Sequence, residues 1–436
     1  MVGHAATTAA MLQNALLFPL LSSLLLFDSR ATQVSSRAGS RRGTPLNVEL
    51  SPHVTGFGTR SVFSMGVALD NSRTLQVLVD TGSSSLVVQS GVGGNTPLQA
   101  TSFLAHSLAG VRSGQNASIE YEGARVTGSV LHSTVCLPGD RDSNGGILPT
   151  GKTCVKSFPV FESATQDSGF SSLGLDGIMG LGPVPGKTKL GINELDETFV
   201  DGLAQSSIQD RRIFSLFTSP GPAYGPSMLT LGGWSPANIR ADSELHFWSL
   251  PQPLTGRWDL RLQDVLLVFA NGSADVSLGP CGAGAGGDCR ALLDSGTALL
   301  EATPAITEAI SSRVVDDAGQ CLEQAQMPDL HIKLSNADVF KLGPEDYMQN
   351  LKACELGVED IHAKLASSSS SEPKATLVLG QPFMRKFYAV FDQESSRIGL
   401  AVSVASSPST QNEERHQRQL RQQQETLASF LKGAAS

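Results

Sequence analysis

From about residue 50 to 402, short apolar runs alternate with clusters of Gly, Pro, Ser and Asn. Runs such as "SVFSMGVAL", "VLVDTG", "SVLHSTVCL", "MLTLGG", "VLLVFA" and "TLVLG" are closely punctuated by turn residues, so they predict strands. Helical signals are few. One lies around residues 195–209 and another around 303–314, where Pro304 fits a first helical turn. Residues 367–371 are a low-complexity serine loop, and "CGAGAGGDC" lacks the following Lys and helix of a phosphate cradle, so it too is a loop. The whole pattern favours an all-β architecture.

Both ends depart from it. Residues 15–27, "ALLFPLLSSLLLF", form an apolar run too short for a comfortable membrane span, and Ser29-Arg30-Ala31 offers a small-x-small cleavage site. Residues 1–31 therefore read as a signal peptide. The first ten residues lack Lys and Arg, which keeps a signal-anchor open. The acid-free, Ser/Arg-rich stretch "SRATQVSSRAGSRRGT" keeps a bipartite organelle signal open as well. Residues 32–57 read as a short pro-segment or flexible lead. The tail, 404–436, is polar and rich in Gln, Glu and Arg, either disordered or a solvated helix, and nothing after residue 402 could span a membrane.

A chain of 436 residues has room for two domains, and 40% hydrophobic against 17% charged residues describes a globular protein. A net charge of −9 argues against a nucleic-acid binder. Six cysteines, an even number behind a signal-like start, point to disulfides and an oxidising compartment. The sequons at Asn116 and Asn271 point the same way. There is no Cys-x-x-Cys, no His-Glu-x-x-His and no Gly-x-Ser-x-Gly, so neither a metal site nor a serine hydrolase is expected, and no cofactor.

The chemistry is carried by two acids. In "LVDTGSSS" (78–85) an apolar strand runs into Asp80, Thr81, Gly82 and Ser83. Alone, this is acceptable turn chemistry. The same design returns in "ALLDSGTALL" (291–300), with Asp294, Ser295, Gly296 and Thr297. Two copies a domain's length apart suggest two similar lobes, each giving one carboxylate to a shared site. Glycine after each acid lets the backbones approach closely.

On these motifs the chain resembles the pepsin-like aspartic proteases from about residue 58 to 402. Further segments support the likeness: "DGIMGLGP" (176–183), "FVDGLAQSSIQDRRIFSLF", "LTLGGW", "GRWDLRL", "MPDLHIKL", "EDYMQN" and "LGQPFMRKFYAVFDQESSRIGLA". The resemblance implies an all-β, bilobal fold with a cleft between an N-terminal lobe (58–240) and a C-terminal lobe (241–403). It also implies an aspartic endopeptidase working at acidic pH as a monomer on peptide or protein substrates, in the secretory pathway, outside the cell or in an acidic vacuole- or lysosome-like lumen. Asp80 and Asp294 would share a proton and activate water. Thr81 and Ser295 would tie the two motif loops together, and Ser83 and Thr297 would bond the outer carboxylate oxygens. In "IEYEGARVTGSV" Tyr121 takes the place of the flap tyrosine; an ordinary strand aromatic is the plainer alternative. Glu122 stands where the family usually has glycine, and Val87 where many members have tryptophan.

The resemblance also implies disulfides Cys281–Cys289 and Cys321–Cys354. Cys136 then pairs with Cys154 across a hairpin insertion the family does not generally have. Family pro-segments often inhibit through a lysine; here the lead carries Arg30, Arg37, Arg41 and Arg42 and no lysine, so weak self-inhibition and trimming near Arg41-Arg42 are expected. The rival reading is a pepsin-fold binding module, which typically loses or distorts an Asp motif.

Overall fold

The computed structural model describes residues 44–55, 60–69, 74–89, 110–121, 124–137, 153–163, 174–183, 197–252, 254–270, 274–279, 289–316, 318–334, 338–361 and 374–406. The first part of the chain forms strands β1 (Leu46–Thr55), β2 (Arg60–Leu69), β3 (Thr74–Asp80), β4 (Leu86–Gln89), β5 (Val111–Tyr121), β6 (Ala124–Cys136), β7 (Cys154–Ser163) and β8 (Gly177–Gly180). Helix α1 (Phe199–Gln205) follows, then β9 (Ile213–Phe217), β10 (Ser227–Leu231) and β11 (His246–Ser249). The second part forms β12 (Asp259–Val268), β13 (Val276–Ser277), β14 (Cys289–Leu293), β15 (Leu300–Ala302), α2 (Pro304–Ser311), β16 (Asp329–Leu334), β17 (Val339–Leu342) and α3 (Pro344–Tyr347). It ends with β18 (Met348–Asn350), β19 (Glu355–Leu356), β20 (Val358–Asp360), β21 (Lys374–Leu379), α4 (Gln381–Lys386), β22 (Phe387–Asp392) and β23 (Arg397–Val402).

Among the described residues these strands make two large sheets and a small β18–β19 pair. The first sheet runs β11-β23-β22-β9-β10-β1-β2-β3-β8-β4-β7-β6-β5; the second runs β17-β16-β12-β14-β21-β15-β20, with β13 beside β12. The predicted runs fall on β2, β3, β6, β10, β12 and β21, and the two helical signals on α1 and α2. Thr198 caps α1 by accepting from the Asp201 backbone, and Pro304 begins α2, where its missing N–H costs nothing.

The boundaries differ from the expected ones in three places. Residues 46–55, read as part of a lead, are β1: Leu46–Leu50 pair with β10 and Ser51–Thr55 with β2. Strands β22 and β23, from the C-terminal stretch, join the first sheet through β9. The packed chain also continues past 403, because Val404 N–H bonds the Asn238 carbonyl and Ala405 is buried. In each case one partner lies far away in sequence, β10 for Leu46–Leu50, β9 for β22 and Asn238 for Val404, so no local pattern reveals it.

The two acids end the same supersecondary unit. β3 runs parallel to β8, which is antiparallel to β4; β14 runs parallel to β21, which is antiparallel to β15. Strands in the middle of such a unit are covered on both faces, which explains why "VLVD" and "ALLD" are continuous apolar runs rather than alternating ones. Val77, Val79, Leu86 and Leu293, Leu300, Ala302 all enter the main core. Trp258, fully buried, closes the seam beneath: its ring meets Phe214 and Phe391, and its Nε1 donates to the Leu181 carbonyl at 2.8 Å.

Candidate active site

Each strand delivers its acid at its end, and the next residues turn back. Asp80 closes β3 opposite Gly180, and Asp294 follows Leu293, which pairs with Leu379. The turns interlock. Thr81 N–H donates to Ser295 Oγ (3.0 Å) and Ser295 N–H to Thr81 Oγ1 (2.9 Å). Each hydroxyl then donates across the lobes, Thr81 Oγ1 to the Leu293 carbonyl (2.8 Å) and Ser295 Oγ to the Val79 carbonyl (2.7 Å). Four reciprocal bonds between buried groups fix one loop against the other. Thr and Ser are suited to this because a hydroxyl accepts and donates at once.

The carboxylates receive matched partners. Gly82 N–H and Gly296 N–H each donate to the Oδ1 of their own acid at 2.8 Å. Ser83 Oγ donates to Asp80 Oδ2, and Thr297 Oγ1 to Asp294 Oδ2 at 3.0 Å. The glycines are required by space. A Cβ on Gly82 would lie 2.4 Å from Asp294 Oδ2, and one on Gly296 2.7 Å from Asp80 Oδ1, so each acid packs against the other loop's glycine.

Asp80 and Asp294 are only 7% and 8% exposed. Burial pushes the Asp80 carboxyl well above the usual carboxylate range. The adjacent Asp294 acts the same way through charge and through a shared hydrogen bond, against the pull of Ser83 and the Gly82 N–H. The arrangement can hold one proton between two acids and offer both a base and an acid to a molecule bound above them.

The hairpin β5–β6 belongs to the same sheet as Asp80, joined through β7 to β4. Tyr121 is its last paired residue, opposite Ala124, and its side chain lies outside the described residues, as does Glu122. Val87 of β4 packs with Ile119, Val126, Val130 and Phe161, the first two paired two positions short of the hairpin's turn. The disulfides Cys136–Cys154 and Cys321–Cys354 are formed. Cys281 is outside the described residues, and Cys289 is disulfide-bonded. Asn116 is exposed on β5; Asn271 is outside the described residues, as are the arginines of the lead.

One residue at the site was not expected. Gln381, fully buried at the start of α4, donates from Nε2 to the Ser295 carbonyl at 2.6 Å. Aligning the two repeats, "IMGLG" (178–182) on "VLGQP" (378–382), sets Gln381 against Leu181 and would have marked it as the position where the second copy is polar and the first is not.

The profile of the family described as "Eukaryotic aspartyl protease" matches residues 69–403. Among curated relatives, cathepsin E of Cavia porcellus is 26% identical over 364 residues, spanning 80% of this chain and 81% of that protein. Cathepsin D of Homo sapiens is 28% identical over 308 residues, 67% of this chain and 68% of that one. In fold, the chain is similar to the crystal structure of the aspartic proteinase from Irpex lacteus, with a TM-score of 0.59 at 20% identity, covering 84% of this chain and 99% of that one.

Proposed function

The chain belongs to the eukaryotic aspartyl protease family, and from that premise we propose that Asp80 and Asp294 are the acids of its peptide-bond hydrolysis, working at acidic pH. One observation carries this reading: two copies of one motif, from two lobes, interlock so that each carboxylate packs on the other's glycine. With one proton shared, the ionised acid takes a proton from a bound water, whose oxygen attacks the scissile carbonyl carbon. The protonated acid gives its proton to the carbonyl oxygen as the C=O π pair moves onto it. Collapse of the resulting diol breaks the C–N bond, and the amine leaves with a proton returned through the pair. No bond between enzyme and substrate is made.

Thr81, Ser295, Ser83 and Thr297 hold the pair in place, and Tyr121 closes the hairpin over the substrate. A single chain supplies both acids, which supports a monomer as the working unit. The disulfides and the apolar leader support a secretory-pathway destination, outside the cell or in an acidic lumen. No helix among the described residues is long and apolar enough to cross a membrane.

The test is cleavage of a peptide library at several pH values, with and without a statine-type inhibitor. Wild type should cleave at acid pH and be inhibited. Asp80→Asn and Asp294→Asn should each lose cleavage, and the double variant should be little worse than the singles, because the pair acts as a unit. Robust inhibitor-sensitive cleavage by either single variant would sink the assignment. A processed wild type silent at every acidic pH would favour a binding module.

A further inference from the structure

We infer that Gln381 is a positioning residue that places the negative charge of the dyad on Asp294 and leaves the shared proton on Asp80, an inference that rests on the dyad reading above. The immediate partners of the two acids are the same in kind: a glycine N–H on Oδ1 and a hydroxyl on Oδ2. Nothing in that inner ring distinguishes them by type. The difference lies one bond further out.

Gln381 Nε2 donates to the carbonyl of Ser295. That carbonyl and the Gly296 N–H belong to a single peptide unit, and the Gly296 N–H is the donor to Asp294 Oδ1. A hydrogen bond accepted at the oxygen of an amide polarises it and strengthens its N–H as a donor. A stronger donor favours the ionised form of the carboxylate that receives it. In the first repeat the residue after Gly180 is Leu181, where the second has Gln381 after Gly380. A hydrocarbon side chain has nothing to donate, so the Thr81–Gly82 peptide facing Asp80 gets no such help. The amide of Gln381 is committed to this task. The Ser295 carbonyl can only accept, which fixes Nε2 toward it, and Oε1 has no hydrogen-bond partner among the described residues.

The charged groups on the elements packed against α4 do not supply the asymmetry by themselves. Lys386 pairs with Asp346 of α3, the half-buried Arg385 guanidinium also faces Asp346, and Gln324 holds Glu345. Asp392 of β22 pairs with Arg397, while Glu301 on β15 stands on the face opposite Leu300 and Ala302. All of these remain in every variant below.

The experiment is the pH profile of kcat/KM for wild type, Gln381→Leu and Gln381→Glu. The acid limb reports loss of the first proton from the pair, and the alkaline limb loss of the second. If Asp294 is the acid that ionises first, Gln381 acts only on the first step, since Asp294 is charged on both sides of the second. Gln381→Leu should therefore move the acid limb upward by roughly half a pH unit or more and leave the alkaline limb where it is. Gln381→Glu, protonated in the acid range, can still donate to the Ser295 carbonyl and should keep the acid limb near its wild-type position. Should Gln381→Leu not fold, Gln381→Met retains the length of the side chain and carries the same expectation.

A shift of the alkaline limb instead would put the proton on Asp294 and overturn the inference. A fall in kcat with neither limb moved would reduce Gln381 to a structural role and overturn it equally. Failure of the dyad itself is read separately, as cleavage that survives Asp80→Asn or Asp294→Asn.

Discussion

A single added methyl group is enough to test the geometry of the paired acids. In Gly82→Ala the new carbon would fall 2.4 Å from Asp294 Oδ2 and 2.6 Å from its Cγ, far inside van der Waals contact. The carboxylate or the loop must move, and displacements of this kind cost about a hundredfold in rate or more. Gly221→Ala, which meets nothing within 4 Å, should leave both rate and melting temperature unchanged. Comparing kcat/KM for the two variants checks the site's tightness independently of any charge change. The residues of this inner ring were legible because a strand that runs apolar into Asp-Thr/Ser-Gly twice in one chain is a pattern few local structures require. Gln381 was not. It sits in the familiar-looking stretch "LGQPFMRKFY"; comparing the repeats marks it as polar, but only the fold shows that its amide reaches the Ser295 carbonyl.

Elements whose identity depends on nearby residues were readable, and those defined by distant partners were not. The apolar runs of β2, β3, β6, β10, β12 and β21 carry their own signal, and Pro304 marks the start of α2. β1 does not. It follows an Arg- and Ser-rich stretch and contains Pro52, and it is a strand because Leu46–Leu50 find β10 far along the chain. The insertion hairpin β6–β7 yields a prediction of its own. Cys136 pairs with Cys154 at the end of β6 remote from the β5–β6 turn, and the bond spans a sequence separation of 18. β6 runs thirteen residues from Ala124, so roughly 40 Å separates the two ends at the usual rise per strand residue. Replacing both cysteines with alanine should lower unfolding free energy by about 3 kcal/mol, measured by urea denaturation. The kcat of the folded fraction should hardly change. A large loss of kcat with stability intact would show that the far end of β6 governs the proposed flap turn.

For the molecule as a whole, the buried acids set how stability follows pH. Asp80 has its folded-state pKa raised, first by burial and then by Asp294, and Asp259, Asp346 and Glu197 are raised as well, chiefly by burial. An acid held above its unfolded value binds more protons in the native state. Its contribution to stability is therefore complete below the unfolded carboxylate range and is lost as pH climbs through the folded pKa. The expectation is a urea midpoint that falls from mildly acid to neutral pH, with a shallower fall in Asp80→Asn. A midpoint that rises steadily toward neutrality, with Asp80→Asn indistinguishable from wild type, would contradict it. On the proposed acid-pH activity, rate and stability would then fall together toward neutrality.

The first sheet has a consequence for the order in which the protein comes into being. β1, near the start of the chain, lies two places from β9, and β9 takes its other neighbour, β22, from residues 387–392. β14 has no parallel mate until residues 374–379 arrive. During synthesis the early strands must wait with an open edge while most of the protein emerges, and contacts this distant in sequence make the search slow. On the proposed pair of acids, cleavage must wait for Asp294 and for β21, the parallel support of its strand, at residues 374–379. That long exposure of an unpaired strand is also the stage at which the polypeptide is most open to capture by a chaperone or to aggregation.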